Sequence, residues 1–318
     1  MSETPVAPPA MPADPADEGG HLPVGDPDPH WSESYYLDFF DPERGVAGYV
    51  RLGLLRNQGK AWYWACLVGP DRPLVTVIDH DVALPRDPSR EIRTEGLWAD
   101  YTVETPLDHV TVGVEAFAVA LDDPADTYGD LRGERIPFGL DLEWETDGDT
   151  FAYPGGVTRY EVPCRVHGEV LVGQESIQLD GWGQRDHSWG GRDWWSLGWS
   201  WTAGRLDDGT RFHGTAVDFE GAHIFGTGYV QAPGGPMEAV DRTGHEEPLG
   251  AHGFPTRCGW QLGDLQLEVA PVAFSPVGLV SHEGRVARFP RAWTTFTTPD
   301  GRSGHGWTEW NQPPRGGA

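Results

Sequence analysis

The sequence predicts an all-β protein, and three observations lead to that fold class. The 318 residues include 15 Trp, 43 Gly and 28 Pro but only three Met; Gly and Pro disfavour helices, while Trp suits half-buried sheet surfaces. Apolar and polar residues alternate most regularly in 110–119, where one face carries Val112, Val114, Ala116 and Ala118. Helical spacing is not sustained over about eleven residues anywhere, so we expect less than about a tenth of the ordered residues in helices.

The predicted strands form two series separated by the Gly/Pro-rich stretch FAYPGG at 151–156. The first series comprises 45–55, 61–69, 73–82, 96–106, 108–121 and 138–146. The second comprises 158–172, 175–183, 195–206, 210–219, 223–232, 260–272, 287–299 and 304–310. Within the second series, LDDG at 206–209 and TPDG at 298–301 are typical of hairpin turns. Two β domains are therefore predicted, 31–155 and 156–313, dividing near 153–158, and periodicity leaves barrel and sandwich open.

The ends of the chain and its cysteines carry little structural signal. Residues 1–30 are rich in Pro, Ala and Asp and have almost nothing to bury, so we predict a disordered, dispensable leader there and a short tail at 314–318. The leader has neither the basic start nor the apolar core of a secretory signal. Cys66, Cys164 and Cys258 are isolated in sequence, which fits neither a disulfide framework nor a structural zinc site.

The charge of the chain limits its partners. Lys and Arg number 23 and Asp and Glu 49, giving a formal net charge of −26. A field of this sign repels phosphate backbones and anionic lipid headgroups, so nucleic acid and membrane surfaces are disfavoured as partners. No stretch approaches the ~18 consecutive apolar residues of a membrane-spanning helix. We therefore expect a cytoplasmic protein without stable membrane insertion.

The segment GWGQRDHSWGGRDWW at 181–195 is the most informative in the chain. Its charged and aromatic side chains are Arg185, Asp186, His187, Trp189, Arg192, Asp193, Trp194 and Trp195. An Asp beside a His can orient the imidazole for proton transfer, and aromatic faces can stabilise a cation. The alternative is a structural corner, in which Arg185–Asp193 or Arg192–Asp186 ion pairs hold the barrel and the Trp side chains fill the core.

Two motifs in the C-terminal half resemble those of a known superfamily. The run Asp186-His187-Ser188-Trp189-Gly190 and the later Gly304-His305-Gly306-Trp307-Thr308-Glu309 are similar to signatures of the AttH-like and carotenoid 1,2-hydratase (hydroxyneurosporene synthase) superfamily. The opening Trp31-Ser32-Glu33-Ser34-Tyr35 adds to the resemblance. It spans 31–313 and points to an uncharacterised, actinobacterial-type branch of the superfamily.

The resemblance implies two lipocalin-like antiparallel β-barrels in tandem, with a lipophilic site in or between them. Relatives in the superfamily include hydratases of isolated alkenes and cyclases of polyenes, among them fungal Diels–Alderases, so the shared fold does not determine the reaction. Asp186 and His187 are the implied acid and base. On this basis we expect an enzyme without cofactor or metal that hydrates, isomerises or cyclises a terpenoid, steroid or polyene at a C=C bond.

These assignments predict a specific arrangement. A carboxyl in a dry pocket can protonate an alkene, so Asp186 and His187 are expected to share one internal cavity. The substrate-binding wall is expected to comprise Trp189, Trp194, Trp195, Trp199, Trp201 and Glu309. Arg185, Arg192 and Asp193 are expected to form ion pairs that hold the turn around this cavity. Accordingly, Arg192→Ala is expected to impair folding, and Asp186→Asn to preserve the fold but remove activity.

Two other functions stay open on the sequence alone. A non-catalytic, lipocalin-like carrier of a hydrophobic ligand would have no titratable group in its cavity. A carbohydrate-binding or glycoside-processing β-sandwich could use Trp199 and Trp201 as a stacking platform, although core packing is the simpler explanation for that pair. Its two carboxyl groups would have to come from the strand glutamates Glu143, Glu145, Glu161 and Glu309.

Further site types find less support. The scattered His167, His213, His223 and His245 lack partners at metal-ligand spacing. Glycine-rich nucleotide loops and the Gly-x-Ser-x-Gly nucleophile elbow are absent from the sequence.

Overall fold

The computed structural model describes residues 9–240, 243–246, 248–281 and 283–314. In these residues the chain is almost entirely β-strand without α-helix, which confirms the predicted fold class. The short 3₁₀ helices are Pro15–Glu18, Arg56–Gln58, Pro124–Tyr128 and Ala251–Gly253. Within the same ranges, no helix has the length and apolarity needed to span a membrane. Parts of the predicted leader (1–8) and tail (315–318) lie outside the described residues.

The first sheet closes into a barrel. Its strands are β1 (Trp31–Asp41), β2 (Val46–Leu55), β3 (Lys60–Val68), β4 (Leu74–Ala83), β5 (Ile92–Thr94), β6 (Leu97–Thr105), β7 (His109–Leu121), β8 (Glu134–Thr146), β9 (Phe151–Ala152), β10 (Arg159–Val172) and β11 (Glu175–Gly191). They are arranged in the order β4-β3-β2-β1-β11-β10-β8-β7-β6-β5, and β9 pairs with β10. Additional pairing of β4 with β7, from Leu74 opposite Leu121 onward, joins one end of this order to an inner strand and so nearly closes the barrel, while β6 and β5 extend beyond the closure.

The second sheet has nine strands. The elements of this half are β12 (Gly198–Leu206), β13 (Arg211–Phe219), β14 (Ala222–Gln231), β15 (Met237–Val240), β16 (Thr243–Glu246), β17 (Cys258–Leu262), β18 (Leu265–Phe274), β19 (Val277–Val280), β20 (Val286–Phe289), β21 (Arg291–Thr297) and β22 (Ser303–Asn311). The nine strands are ordered β15-β14-β13-β12-β22-β21-β18-β17-β16, while β19 and β20 form a separate hairpin. The whole is consistent with tandem lipocalin-like barrels.

The change from one sheet to the other does not fall where the sequence predicted it. Strands β10 and β11 follow the expected division near 153–158 but belong to the first sheet, so the chain changes sheets between Gly191 and Gly198. The Gly/Pro-rich stretch begins with β9 and continues into the turn that leads to β10. The prediction was wrong because β1 pairs with β11, from Trp31 opposite Gly191 onward, and local periodicity carries no information on so distant a pairing.

The described part of the leader is also unlike the prediction, because residues 9–30 are anchored to both sheets at several points. Pro9 forms a bridge with Glu238, and the Ala13 amide donates to Oγ1 of Thr150 at 2.9 Å. Glu18 is only 3% exposed. The contacts that hold this segment are mainly polar, so its lack of apolar residues did not reveal them.

Strands β1 and β11 lie between two hydrophobic cores, and each strand contributes one face to each core. The barrel interior is filled by large side chains, among them Tyr35, Tyr63 and Trp144. The opposite face, which carries Tyr36 on β1, packs against Trp201 and other residues of the second sheet. Because successive side chains of a strand point to opposite faces, neighbouring residues of the 181–195 segment are sent into different environments.

Candidate active site

A cavity of about 400 Å³ lies where the first sheet meets the second. Its apolar wall is aromatic, with Trp199 and Trp201 from β12 and Phe225 from β14. The exposed loop at Gly156 and Val157 forms part of its rim. An apolar cleft with a few polar groups at one end is the usual form of a small-molecule site.

The polar wall of the cavity is organised by a buried carboxylate, Glu161 on β10. Its Oε1 accepts hydrogen bonds from Nε of Arg159 at 2.7 Å and Nε1 of Trp201 at 3.0 Å. Its Oε2 accepts from Nε2 of Gln184 at 3.0 Å. The Tyr153 hydroxyl lies 3.2 Å from Oε1. These contacts fix the positions of three cavity-lining side chains, those of Arg159, Trp201 and Tyr153.

Tyr153 forms a hydrogen-bonded pair with His213 of β13. The Tyr153 hydroxyl lies 2.8 Å from Nε2 of His213 and 2.6 Å from Oγ1 of Thr215. Nδ1 of His213 is 3.0 Å from the Thr202 carbonyl, which can only accept, so Nδ1 carries the proton and Nε2 is free to accept one. Burial, reinforced by the positive charge of Arg159, lowers the pKa of His213 well below its usual value. The imidazole is therefore a neutral base that reaches the cavity through Tyr153.

Arg192 supplies a cation that interacts electrostatically with the carboxylates of Asp186 and Glu309 but forms a direct ion pair with neither of them. Its side chain lines the cavity, and within the described ranges it forms no hydrogen bond or ion pair. Burial and the neighbouring Arg159 lower its pKa to about 10, a value at which the guanidinium stays charged at neutral pH. The structure thus corrects the expectation that Arg192 holds the turn by an ion pair, and leaves its charge available to a bound molecule.

Asp186 lies behind this wall rather than on it. Its Oδ2 accepts from Nη2 of Arg159 at 2.9 Å, and Arg159 stands between the carboxylate and the cavity residues. Burial raises the pKa of Asp186 to about 6, although the positive charge of Arg159 opposes that rise. Asp186 therefore acts on the cavity by holding Arg159 in place.

His187 points away from the cavity, which corrects the expectation that Asp186 and His187 share one site. Asp186 pairs across the sheet with Tyr36 and His187 with Tyr35, and these pairs lie on opposite faces of the barrel wall. Nε2 of His187 is 3.1 Å from Oε1 of Glu33, and its ring stacks on Tyr35 with centroids 4.2 Å apart. The alternation of strand β11 separates the two halves of the motif.

The aromatic residues of the segment are divided in the same way. Trp189 contributes to the cavity rim, but its ring stacks on His21 with centroids 3.8 Å apart. Trp194 is buried between Trp64 and Trp199. Trp195 donates through Nε1 to the Leu279 carbonyl. Of the expected substrate-binding tryptophans, Trp199 and Trp201 have side chains on the aromatic wall, whereas Trp194 and Trp195 are core residues.

The remaining charged residues of the prediction make ion pairs other than those expected. Arg185 binds Glu18 of the leader, with Nη1 2.6 Å from Oε1. Glu309 pairs with the buried Arg291 at 2.9 Å. Asp193 accepts from the Ser196 hydroxyl at 2.6 Å and lies 3.6 Å from Nη1 of Arg285. Neither Arg185–Asp193 nor Arg192–Asp186 forms a direct ion pair among the described residues.

The scattered histidines do not gather into one site. His167 lies near Glu145 at 3.6 Å, and His223 near Asp218 at 3.3 Å. The side chain of His245 lies outside the described residues. A different set, His21, Glu33 and His187, brings two imidazoles and one carboxylate within 4.8 Å of one another, and the sequence analysis did not group these residues.

Sequence reasoning also missed Tyr153, Arg159 and Thr215. Tyr153 belongs to the stretch 151–156, which was interpreted as a domain break. Arg159 and Glu161 are two residues apart on β10 and so share a face. That spacing was visible in the sequence, but it became informative only once β10 was known to pair with β11, where Glu161 lies opposite Asp186.

Comparison with known proteins gives one family and a shared fold. The family described as a domain of unknown function, DUF7064, matches residues 14–314. No curated protein matches the sequence. Among solved structures, a candidate AttH from Nitrosomonas europaea superposes with a TM-score of 0.64 at 16% identity, covering 95% of this chain and 98% of that one. Kievitone hydratase from Nectria haematococca superposes with a TM-score of 0.59 at 10% identity, covering 98% of both chains.

Proposed function

The chain belongs to the DUF7064 family, and we propose that it is an enzyme that transfers protons at a C=C bond of a lipophilic small molecule. The reaction is the addition or removal of water, or isomerisation of the double bond. The observation that carries this proposal is the Tyr153–His213 pair, which opens into a cavity with an aromatic wall and an unpaired guanidinium. The similarity to a fold that includes kievitone hydratase is consistent with water addition.

The cavity favours an elongated or ring-containing molecule with one polar end. Trp199, Trp201 and Phe225 offer apolar and π surface to the hydrocarbon part. Arg192 offers five donors and a positive charge to an oxygen function such as a carboxylate, a phenolate or a conjugated carbonyl. Binding such a group would replace the water that otherwise solvates this half-buried cation.

The chemistry of the lining residues favours an activated double bond over an isolated alkene. An isolated alkene requires a strong acid, whereas burial raises the pKa of Tyr153 well above its usual value and leaves His213 neutral. A double bond conjugated to an oxygen function needs no strong acid, because Arg192 and Arg159 stabilise the negative charge that develops on that oxygen. The guanidinium groups and the weak base then act on the same substrate.

Water addition would proceed in two balanced proton transfers. As the new C–O bond forms, the proton of the attacking water passes through the Tyr153 hydroxyl to Nε2 of His213, and the electron pair of the double bond moves onto the conjugated oxygen. Return of that proton to the neighbouring carbon completes the addition. Asp186 and Glu161 are positioning residues in this scheme, because they hold the Arg159 guanidinium.

The test begins with an untargeted comparison of metabolites between a deletion strain and its parent. Compounds that accumulate in the deletion strain are incubated with purified protein in D₂O, and deuterium entering the carbon skeleton is measured by mass spectrometry. The wild type is expected to incorporate deuterium, and Tyr153→Phe to be slower by about 10²–10⁴-fold while still binding the compound.

Tyr128→Phe is the matched control, because it removes a buried hydroxyl that has no hydrogen-bond partner in the described structure and lies away from the cavity. It is expected to retain the wild-type rate. Undiminished incorporation by Tyr153→Phe would contradict the proposal. Tight binding without any exchange or conversion would favour the carrier function instead.

A further inference from the structure

A second cluster of chemically capable groups lies at the mouth of the first barrel, on the face of β11 opposite the cavity. Oε1 of Glu33 is 3.1 Å from Nε2 of His187 and 3.1 Å from Nδ1 of His21. The three residues come from separate parts of the chain: His21 from the N-terminal segment, Glu33 from β1 and His187 from β11. Glu33 and His187 are almost fully buried, and the His21 side chain is 24% exposed.

We propose that His21, Glu33 and His187 bind one divalent transition metal ion, such as Zn²⁺. Zinc bonds to imidazole nitrogen and carboxylate oxygen are about 2.0–2.2 Å long, so neighbouring ligand atoms in a tetrahedral site lie about 3.3 Å apart. Two of the three separations are already close to this value. The third, between the two imidazoles, is within 4.8 Å and shortens by a movement of His21, which lies outside the strands.

The three groups converge on one carboxylate oxygen and have further polar neighbours. Both imidazoles lie at hydrogen-bond distance from Oε1 of Glu33, and the His21 amide donates to the same oxygen at 2.7 Å. Oδ1 of Asp17 lies 3.9 Å from Nε2 of His21, beyond hydrogen-bond distance as it stands, and a small movement of either side chain would let it orient a ligating imidazole from its other nitrogen. Arg56 lies 3.5 Å from the second Glu33 oxygen, and Asp87 offsets its charge at 2.8 Å.

The ion would tie the N-terminal segment to the barrel. Three protein ligands leave a fourth position for water, and the exposed side of His21 gives access from solvent. Because only the folded chain brings the three ligands together, metal binding stabilises the folded state and the docked segment. This role is independent of the reaction proposed for the cavity.

The test uses the full chain, freed of metal by a chelator and titrated with Zn²⁺ alone by calorimetry. One equivalent is expected to bind, with a rise in melting temperature. Co²⁺ in place of Zn²⁺ is expected to give the visible absorption of a bound tetrahedral ion. His21→Ala is expected to weaken Zn²⁺ binding by at least about 100-fold, beyond the loss usual for an outer-shell change, and to abolish the Co²⁺ spectrum.

His109→Ala is the matched control, since it removes a partly exposed histidine whose Nε2 lies 2.8 Å from Glu143, a His–Glu pair to which the described residues add no third ligand. Its affinity for Zn²⁺ is expected to equal that of the wild type. Glu33→Gln is a second test of the site. If this variant of a buried residue does not fold, His21→Ala still tests the site, because His21 is partly exposed. Absence of stoichiometric binding, or equal affinity in His21→Ala and wild type, would show that the cluster is held by hydrogen bonds alone.

Discussion

Similar residues on and just after strand β11 have different roles on its two faces. On the barrel face, Arg185 has a buried carboxylate partner in Glu18. Just after the strand, Arg192 lines the cavity between the sheets without a partner among the described residues. A paired buried charge holds segments of the chain together, whereas an unpaired one beside a cavity is available to a ligand. The difference shows that residue type alone does not distinguish a stabilising arginine from a binding one.

His187 and His213, which lie on either side of this sheet, also differ in that one has a structural setting and the other borders the cavity. His187 is stacked on Tyr35 and bound to Glu33, in a setting that orders the N-terminal segment. His213 has one nitrogen tied to a backbone carbonyl and the other directed at Tyr153, which borders the cavity. The arrangement around His213 is thus the one suited to proton transfer, although the motif in the sequence drew attention to His187.

The largest expected loss of stability comes from breaking the ion pair between Arg185 and Glu18 on the barrel face. Glu18→Gln leaves the Arg185 charge buried without a carboxylate, which should lower the free energy of unfolding by about 3–5 kcal/mol. Urea denaturation measures the change. The neighbouring Asp17→Asn is the control, since Asp17 is 38% exposed and surface pairs contribute about 0–1 kcal/mol. Equal effects of the two variants would contradict the structural role of Glu18.

A smaller loss of stability is expected when one hydrogen bond of the network on the cavity face is removed. Trp201→Phe removes the indole donor to Oε1 of Glu161, and a hydrogen bond to a buried carboxylate contributes about 1.5–3 kcal/mol. Trp310→Phe is the matched control, because its buried indole nitrogen has no hydrogen-bond partner in the described structure. The difference between the two unfolding free energies isolates the bond to Glu161. No difference would mean that this bond adds nothing to stability.

The neutral state of His213 predicts a distinct pH dependence of stability. Burial lowers the folded-state pKa, so as the pH falls below the usual histidine value of about 6.5 the unfolded chain takes up a proton that the folded chain does not. The free energy of unfolding should therefore decrease on acidification, by up to about 1.4 kcal/mol per pH unit from this residue.

His213→Asn is expected to lack this component, and the two pH profiles of urea unfolding are compared directly. In NMR spectra, the His213 ring signal is identified by its absence from the variant. It should show no titration at about pH 6–7. A normal titration there would overturn the assignment of His213 as a buried neutral base.

The smallest effect on stability is expected for the unpaired arginine. Arg192→Met removes a half-buried charge that makes no direct ion pair with the described residues, so the free energy of unfolding should change by less than about 0.5 kcal/mol or increase. This outcome is opposite to the one expected from the sequence, where Arg192 was assigned to a supporting ion pair. A loss as large as that of Glu18→Gln would restore the earlier assignment and weaken the role of Arg192 in ligand binding.

Some features of the molecule could be predicted from local patterns. The alternation in β7 and β8 and the frequent Gly-containing turns were sufficient for the all-β class, because both are properties of short segments. The dense charge and aromatic content of 181–195 drew attention to a segment beside the cavity, but the expectation that Asp186 and His187 share one site was wrong. The composition of the N-terminal segment was misleading, because the buried Glu18 and the half-buried His21 are held by polar contacts that composition does not register.

By itself, the sequence determined most of the strands, the turns and the alternation of side chains along each strand, since these depend on neighbouring residues, although it did not predict β1 (Trp31–Asp41). Only the tertiary structure decided that β1 pairs with β11, that Asp186 and His187 face different cores, and that Tyr153 meets His213. Such pairings join residues far apart in the chain, and their energies depend on burial and on which charges are brought together. The role of each polar residue is therefore determined by the residues that the fold places next to it.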